Sequence, residues 1–184
     1  MSETKTKMPY VEALAIAQDI VRILEPACER IEIAGSIRRK KTEVGDIEVV
    51  AIPTRIPIYD LFGEEIGEGL KLNDAIPSEW LCTKNGDKYK QFVLPCAASS
   101  PQGCNLDLFL VTPETWGVVF TLRTGNWEFS KRLVTKKQKG GYMPDYMACK
   151  DARLWSHGEA LDTPEEADVF KAIGRPWTEP EDRT

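Results

Sequence analysis

The sequence lacks the features that would place it in several common classes of protein. No apolar run approaches the roughly 20 residues that span a bilayer, and residues 1–10 are polar where a secretory signal has an apolar stretch. Its one histidine, His157, offers no Ser-His or Cys-His pair for nucleophilic catalysis. We therefore expect a cytoplasmic protein that makes no membrane contact.

Cysteine is present, but its pattern is not that of a metal or disulfide site. The five cysteines are odd in number and widely spread, and no two show the C-x-x-C spacing of zinc sites. We expect plain thiols, without a zinc site or a disulfide framework. The cysteines are Cys28, Cys82, Cys96, Cys104 and Cys149.

Excess positive charge is also absent, because the chain carries a net charge of −5. A protein of that charge has no strong general attraction for DNA. Two local basic runs remain, at residues 38–41 and 131–139. Such a run can bind a phosphate backbone in a salt-sensitive way, or it can be a solvated face, and the composition leaves both interpretations open.

The order of the hydrophobic patterns predicts an α+β fold in which strands come first and helices second. A boundary near residue 112 separates a domain of residues 1–112, with a mixed or antiparallel sheet packed on helices, from a small helical lobe of residues 113–184 with a short sheet. Residues 53–103 are predicted to be partly an insertion that contains a β-hairpin at Asn85-Gly86. The predicted strands are residues 31–34, 47–52, 106–111, 146–149 and 153–155, and the predicted helices are residues 9–24, 113–124, 127–137 and 164–172.

Gly35 and Ser36 follow a predicted strand and precede a predicted helical turn. Unpaired backbone N–H groups at such a turn bind anions well. Gly35 permits a close approach, Ser36 adds a hydroxyl donor, and Arg39 can clamp a phosphate oxygen. These are the parts needed to hold a triphosphate, although Gly and Ser also dominate ordinary turns.

Three carboxylates accompany this turn. Asp46 and Glu48 are two positions apart on a predicted strand, so their side chains leave the same face. Asp107 stands in an otherwise apolar strand and requires a partner. If the two strands are neighbours, the carboxylates converge into an oxygen-rich site that suits Mg²⁺ bound together with phosphates. Two other interpretations remain. Asp46 and Glu48 can mark the solvated face of a strand, and Asp107 can form an ion pair with a lysine.

In this order and spacing, these residues resemble the DNA polymerase β superfamily of nucleotidyltransferases, and within it the family X polymerases. The resemblance implies that residues 1–112 are a nucleotidyltransferase palm and that residues 113–184 are a nucleotide-binding lobe. The matching segments are AGSIRRKKTEVGDIEVV, NLDLFLV, GVVFTLRTGNWEFSKRL and GEALDTPEEADVFKAIGRPWTEPEDR.

The resemblance also implies residue roles. Asp46, Glu48 and Asp107 would be the catalytic carboxylates and would hold two Mg²⁺ ions, for which Mn²⁺ can substitute. The implied nucleotide-binding residues are Gly35, Ser36, Arg39, Thr124, Gly125, Trp127 and Ser130. The implied DNA-binding residues are Lys131, Arg132 and Lys136.

The implied reaction is template-directed DNA synthesis by a monomer, in DNA repair or replication. The 3′-hydroxyl of a primer-template or gapped DNA attacks the α-phosphate of a dNTP and releases pyrophosphate, with positioning and charge neutralisation supplying the acceleration. The chain departs from the family pattern at Glu48, Asn105 and Leu122-Arg123. Two other interpretations stay open: a template-independent transferase acting on RNA ends, a protein or a small molecule, and a catalytically silent nucleic-acid-binding module.

Overall fold

The structure, a computed structural model, describes residues 7–95 and 103–184. They form an α+β fold with a mixed sheet and several helices, which confirms the predicted fold class. The elements before residue 112 are β1 (Met8–Pro9), α1 (Tyr10–Leu24), β2 (Cys28–Ile33), α2 (Gly35–Arg38), β3 (Glu43–Val44), β4 (Ile47–Pro53), β5 (Arg55–Tyr59), β6 (Glu65–Leu70), α3 (Leu72–Ala75), β7 (Leu81–Asn85), β8 (Tyr89–Leu94) and β9 (Cys104–Leu110). Those after it are α4 (Pro113–Thr124), α5 (Trp127–Val134), β10 (Met147–Lys150), β11 (Arg153–Ser156), β12 (Glu159–Ala160) and α6 (Glu166–Ala172). Within the two described ranges, every helix is too short or too polar to serve as a membrane span.

A five-stranded sheet, called the central sheet below, organises the first part of the chain. Its strand order is β2-β4-β9-β8-β7, with β4 and β9 parallel and the other neighbours antiparallel. β4 lies inside the sheet, and its run of Val49, Val50 and Ala51 is fully buried. Apolar residues on both faces are what a strand covered on two sides requires.

Helix α1 covers one face of the central sheet. It packs in one cluster with apolar side chains of β4 and β9. Pro9 is the N-cap residue, so the helix begins at Tyr10, one position after the predicted start, and Pro26 lies in the short 3₁₀ turn that follows the helix. The buried residues of α1 recur every three or four positions, as one side of a helix does: Ala13, Ala17, Ile20 and Leu24.

The opposite face of the central sheet is covered by α4. Val50 and Phe109 pack there with Trp116, and large rings of this kind bury much apolar surface. Side chains two positions apart on a strand share a face. Glu48 and Asp107 therefore lie on the α4 side of the sheet, next to these apolar residues.

The last part of the chain forms its own hydrophobic cluster, built from α4, α5, α6 and the strands β10 and β11. α4 begins after Thr112, whose side chain forms a capping box with Thr115, and it ends at Gly125, as the sequence predicts. The small sheet has the order β10-β11-β12, and its third strand was not predicted. The division into two domains at residue 112 stays a prediction.

Helix α5 ends at Val134, three residues earlier than predicted. The chain turns back after the helix. Backbone N–H groups of the returning segment donate to carbonyls that would otherwise accept hydrogen bonds within a longer helix. The N–H of Tyr142 donates to the Arg132 carbonyl at 2.7 Å, and the N–H of Met143 donates to the Thr135 carbonyl at 3.0 Å. These long-range bonds, which local periodicity does not reveal, stop the helix.

Two hairpins extend from this core. β7 and β8 form the predicted one, but its turn lies slightly later than predicted, with the N–H of Gly86 donating to the Tyr89 carbonyl at 2.9 Å. β5 and β6 form a second hairpin that the sequence left unassigned. Part of the predicted insertion, residues 96–102 with Cys96, lies outside the described residues.

Candidate active site

The parallel pairing of β4 and β9 sets Glu48 directly opposite Asp107. This confirms the condition on which the sequence argument depended, namely that the two carboxylate-bearing strands are neighbours. Asp46 immediately precedes β4, and its Oδ1 accepts a hydrogen bond from Asn105 Nδ2 at 3.2 Å. All three carboxylates thus sit where the pairing of β4 with β9 begins.

Glu48 occupies a largely buried and crowded position. Burial, followed by the nearby charge of Asp107, raises the pKa of Glu48 to about 7, although Arg123 and Arg39 oppose the shift. Gly35 lies against it, because a Cβ atom on Gly35 would stand 2.0 Å from Glu48 Oε2. The Gly-Ser turn and the carboxylates are therefore in direct contact.

Asp107 accepts hydrogen bonds from two side chains of the neighbouring strand β8. The Tyr89 hydroxyl donates to Asp107 Oδ1 at 2.5 Å, and Gln91 Nε2 donates to the same oxygen at 2.9 Å. Burial, then the bond to Asp107, raises the pKa of Tyr89, so the phenol remains a donor at neutral pH. Neither of these two partners was predicted from the sequence.

The donor set fits a divalent cation by its chemistry. Carboxylate oxygens are the ligands that Mg²⁺ and Mn²⁺ prefer, and a cation would relieve the repulsion between Glu48 and Asp107. The side chains are not gathered as they stand: within the described ranges, no three His, Cys, Asp or Glu side chains are arranged to hold a metal ion. At least one of the three carboxylates would therefore have to move before they could share an ion.

The two predicted nucleotide-binding turns meet each other. Arg39 Nη1 donates to the Thr124 carbonyl at 2.6 Å, and Arg38 Nη1 donates to Thr124 Oγ1 at 2.6 Å. Gly35 has φ +61°, the left-handed conformation that suits glycine. Ser36 follows it in the single turn of α2. The structure thus brings Gly35, Ser36, Arg39 and Thr124 to one place.

Helix α5 carries the remaining predicted nucleotide-binding residues. Trp127 is 71% exposed, with Lys131 Nζ 4.6 Å from its ring centroid. The Ser130 hydroxyl donates to the Leu122 carbonyl at 2.6 Å, and a Cβ on Gly125 would stand 2.8 Å from Ser130 Oγ. Gly125 and Ser130 therefore shape the turn, while Trp127 faces solvent.

The three predicted DNA-binding cations differ in their surroundings. Lys131 and Arg132 are exposed on the last turn of α5, and the Arg132 guanidinium lies 4.6 Å from the Tyr142 ring centroid. Lys136 Nζ donates to the Asp145 carbonyl at 2.9 Å. Lys131 and Arg132, each exposed and in contact with one ring, are thus freer than Lys136 to meet a phosphate, and DNA contact by all three stays a prediction.

A cavity of about 740 Å³, called the cleft below, opens between the central sheet and α4. Glu48 and Asp107 line it together with Tyr89, Phe109 and Arg123. The Arg123 guanidinium lies 3.9 Å from the Phe109 ring centroid, and the Tyr89 ring stacks on Phe109 at a centroid distance of 5.2 Å. Arg123, a departure from the family pattern in the sequence, is therefore a positive charge beside the carboxylates.

Three of the four residues of the first basic run have hydrogen-bonding partners inside the chain, although Lys40 and Lys41 are exposed. Arg38 Nη2 bonds to Glu166 Oε2 at 2.6 Å, Arg39 bonds to Thr124, and Lys40 Nζ bonds to Glu181 Oε1 at 2.5 Å. These side chains join the first part of the chain to the last. This use depends on residues far away in sequence, which composition does not reveal.

We expect Gly35→Ala to destabilise the fold by about 1–2 kcal/mol through its left-handed backbone and to displace Glu48 as well. Gly63→Ala is the matched control, since Gly63 also has a positive φ (+81°) but nothing lies within 4 Å of its added Cβ. Urea unfolding measures the first effect, and metal-dependent activity measures the second. If both variants show equal activity, the contact with Glu48 has no functional role.

Stability should depend on the protonation of Glu48. Its pKa is higher in the folded state, about 7, than the ordinary value of 4.5, so the folded state holds the proton more tightly. The free energy of unfolding should therefore fall by about 3 kcal/mol as pH rises from 4.5 to above 7 without divalent metal. Glu48→Gln should remove this slope in urea titrations, whereas the exposed-site control Glu65→Gln should keep it. An unchanged slope in Glu48→Gln would contradict the assignment.

Comparison with known proteins gives a distant similarity. No family model matches the chain. The chain is 26% identical to DNA polymerase lambda of Rattus norvegicus over 193 aligned positions, which cover 96% of this chain and 33% of that protein. It thus spans about a third of the length of the curated relative that it matches. This similarity supports a distant relationship to a DNA polymerase, and at most a family X-like one.

Proposed function

We propose that this chain is a metal-dependent nucleotidyltransferase that adds dNMP from a dNTP to the 3′-hydroxyl of a primer, directed by a template. The observation that carries the proposal is the in-register pairing of Glu48 with Asp107, with Gly35 packed against Glu48. The distant similarity to a DNA polymerase supports nucleotidyl transfer as the class of reaction.

The anion-binding part of the site would be the Gly-Ser turn. Because Gly35 has no side chain, the Glu48 carboxylate fits directly against the turn, and the backbone N–H groups and the hydroxyl of Ser36 can donate to phosphate oxygens. Arg39 already reaches Thr124, so a nucleotide bound between the two turns would lie within reach of its guanidinium. Burial lowers the pKa of Arg39, which nevertheless stays charged at neutral pH.

Asp46, Glu48 and Asp107 would hold the divalent ions. Bound Mg²⁺ or Mn²⁺ would activate the primer hydroxyl and neutralise the leaving pyrophosphate. Asn105 holds Asp46, while Tyr89 and Gln91 hold Asp107, so two of the three carboxylates are oriented before any ligand arrives. Such preorganisation reduces the rearrangement needed during the reaction.

The DNA and the base would be met by α5. Trp127 offers an exposed ring of the kind that stacks on a base, and Lys131 lies beside it. Arg132 and Lys136 would add phosphate contacts, which position a nucleic acid without reading its sequence. We propose that a monomer binds gapped or primer-template DNA in this way.

Incorporation of single nucleotides tests the proposal. The purified chain is incubated with one-nucleotide-gapped DNA, Mg²⁺ or Mn²⁺ and each dNTP separately, for each of the four template bases. We expect extension only by the complementary nucleotide and none in EDTA. Equal labelling of single-stranded ends without a template would favour the template-independent transferase. Duplex binding without any incorporation would favour the silent binding module.

A further inference from the structure

Asp107 accepts hydrogen bonds from two side chains of β8, and the strand pairing determines where both donors lie. Gln91 lies directly opposite Asp107 in the antiparallel pair β8/β9, and Tyr89 lies opposite Phe109. Because alternate residues share a face, all four side chains point into the cleft side of the sheet. The two donors reach Asp107 from one side, and both of their bonds end on Oδ1.

Gln91 is itself contacted by Thr83. The Thr83 hydroxyl lies 3.1 Å from Gln91 Oε1 and 3.2 Å from the Gln91 main-chain carbonyl, and its single proton can be donated to either oxygen. The amide oxygen of Gln91 thus faces Thr83, while its NH₂ group faces Asp107. Thr83 stands where the register of β7 and β8 shifts, between Cys82 and Lys84. A chain of hydrogen bonds therefore runs across three strands, from Thr83 through Gln91 to Asp107.

Tyr89 is held by its ring. It stacks on Phe109 with an interplanar angle of 27°, and Lys84 Nζ lies 5.4 Å from its centroid. The ring fixes where the hydroxyl sits, so the bond to Asp107 does not depend on a freely rotating side chain. Both donors to Asp107 are thus placed by contacts of their own.

We propose that Tyr89 and Gln91 are positioning residues for Asp107: by holding Oδ1, they present Oδ2 to a divalent cation in the cleft. This inference rests on the proposed function, since it assumes that Asp107 binds metal. A carboxylate with one oxygen held by two donors cannot rotate to exchange its oxygens without breaking both bonds. Partners of this kind around a metal ligand typically change metal affinity or activity 10–100-fold when removed.

Two substitutions remove these hydrogen bonds while they preserve the packing of the side chains. Tyr89→Phe removes the hydroxyl and keeps the ring that stacks on Phe109, and Gln91→Met removes the amide at nearly the same length. Tyr146→Phe and Gln18→Met are the matched controls, because both residues are exposed and remote from the cleft. Circular dichroism and thermal midpoints confirm that each full-length variant is folded.

Manganese binding is measured without nucleotide, by the loss of the free Mn²⁺ signal in electron paramagnetic resonance. We expect Tyr89→Phe and Gln91→Met each to raise the Kd for Mn²⁺ about tenfold, and the double variant up to about a hundredfold. In single-nucleotide incorporation, kcat should fall with the KM for dNTP unchanged, because the nucleotide-binding turns are intact. The two controls should match the wild type.

Asp107→Asn separates the failure of this inference from the failure of the proposed function. If Asp107→Asn weakens Mn²⁺ binding and abolishes incorporation while the double variant matches the wild type, the positioning role is overturned and the proposed function stands. If the wild-type chain neither binds Mn²⁺ nor incorporates nucleotide, the proposed function is overturned and the positioning role with it.

Discussion

Replacing Asp107 with Asn should lower the rate of metal-dependent nucleotide incorporation by about 10³-fold or more, the scale on which electrostatic groups act in such sites. The substitution removes a negative charge and keeps the shape of the side chain. The amide oxygen can still accept from Tyr89 and Gln91, which places the amide NH₂ on the side where Oδ2 stood. An N–H donor there repels a cation instead of binding it.

The same substitution should make the protein more stable at neutral pH. Asp107 is the second cause of the raised pKa of Glu48, so its neutralisation lowers that pKa and relieves the repulsion. Single-turnover incorporation and urea unfolding, measured on one preparation, report the two effects. Asp74→Asn, an exposed carboxylate on α3, is the control and should change neither. An Asp107→Asn variant that keeps the wild-type rate would contradict the assignment of the site.

Arg183→Ala should destabilise the fold by about 3 kcal/mol, at the lower end of the cost of breaking a buried ion pair, because the buried Glu166 loses one of its two arginine partners and keeps Arg38. Arg183 is fully buried, and its Nη1 donates to Glu166 Oε1 at 2.5 Å. Its guanidinium also lies 5.1 Å from the Phe170 ring centroid and 4.8 Å from that of Trp177. The substitution therefore opens a cavity as well.

Glu166 connects this pair to the candidate site. Its other oxygen accepts from Arg38, which also donates to Thr124, so the loss of Arg183 should loosen the contact between the two nucleotide-binding turns. Urea unfolding measures the loss of stability. Arg22→Ala is the control, since the Arg22 side chain is 74% exposed in its pair with Asp19 and such pairs contribute little. Equal unfolding midpoints for the two variants would show that the buried network does not hold the fold.

Much of the fold follows from local patterns. The apolar run of β4, the helical spacing of α1 and the stop at Gly125 are properties of short segments, and each was predicted close to its observed position. The early end of α5 was not, because its last carbonyls are taken by Tyr142 and Met143 after the chain turns back. Predictions from local sequence are accurate where no residue distant in sequence competes for the same backbone groups.

The residues of the candidate site also fall into those that local sequence predicts and those that depend on tertiary pairing. Asp46 and Glu48 were found from their spacing, but the register that sets Glu48 against Asp107 joins strands distant in sequence. Gln91 and Tyr89 carried no local signal, because they lie in a strand, Tyr89–Leu94, that already contains a charged residue. Arg38 was counted as one charge in a basic run, although its partner is Glu166. Side-chain partners of this kind depend on tertiary pairing.

The most direct test of the central claim, metal-dependent nucleotidyl transfer at the carboxylates of the cleft, is incorporation of one labelled dNMP into gapped DNA by the purified chain. The wild type and Asp107→Asn are compared with Mg²⁺, with Mn²⁺ and with EDTA. We expect incorporation by the wild type with either metal, none with EDTA, and almost none by Asp107→Asn. Equal incorporation by the two proteins, or incorporation that persists in EDTA, would contradict the claim.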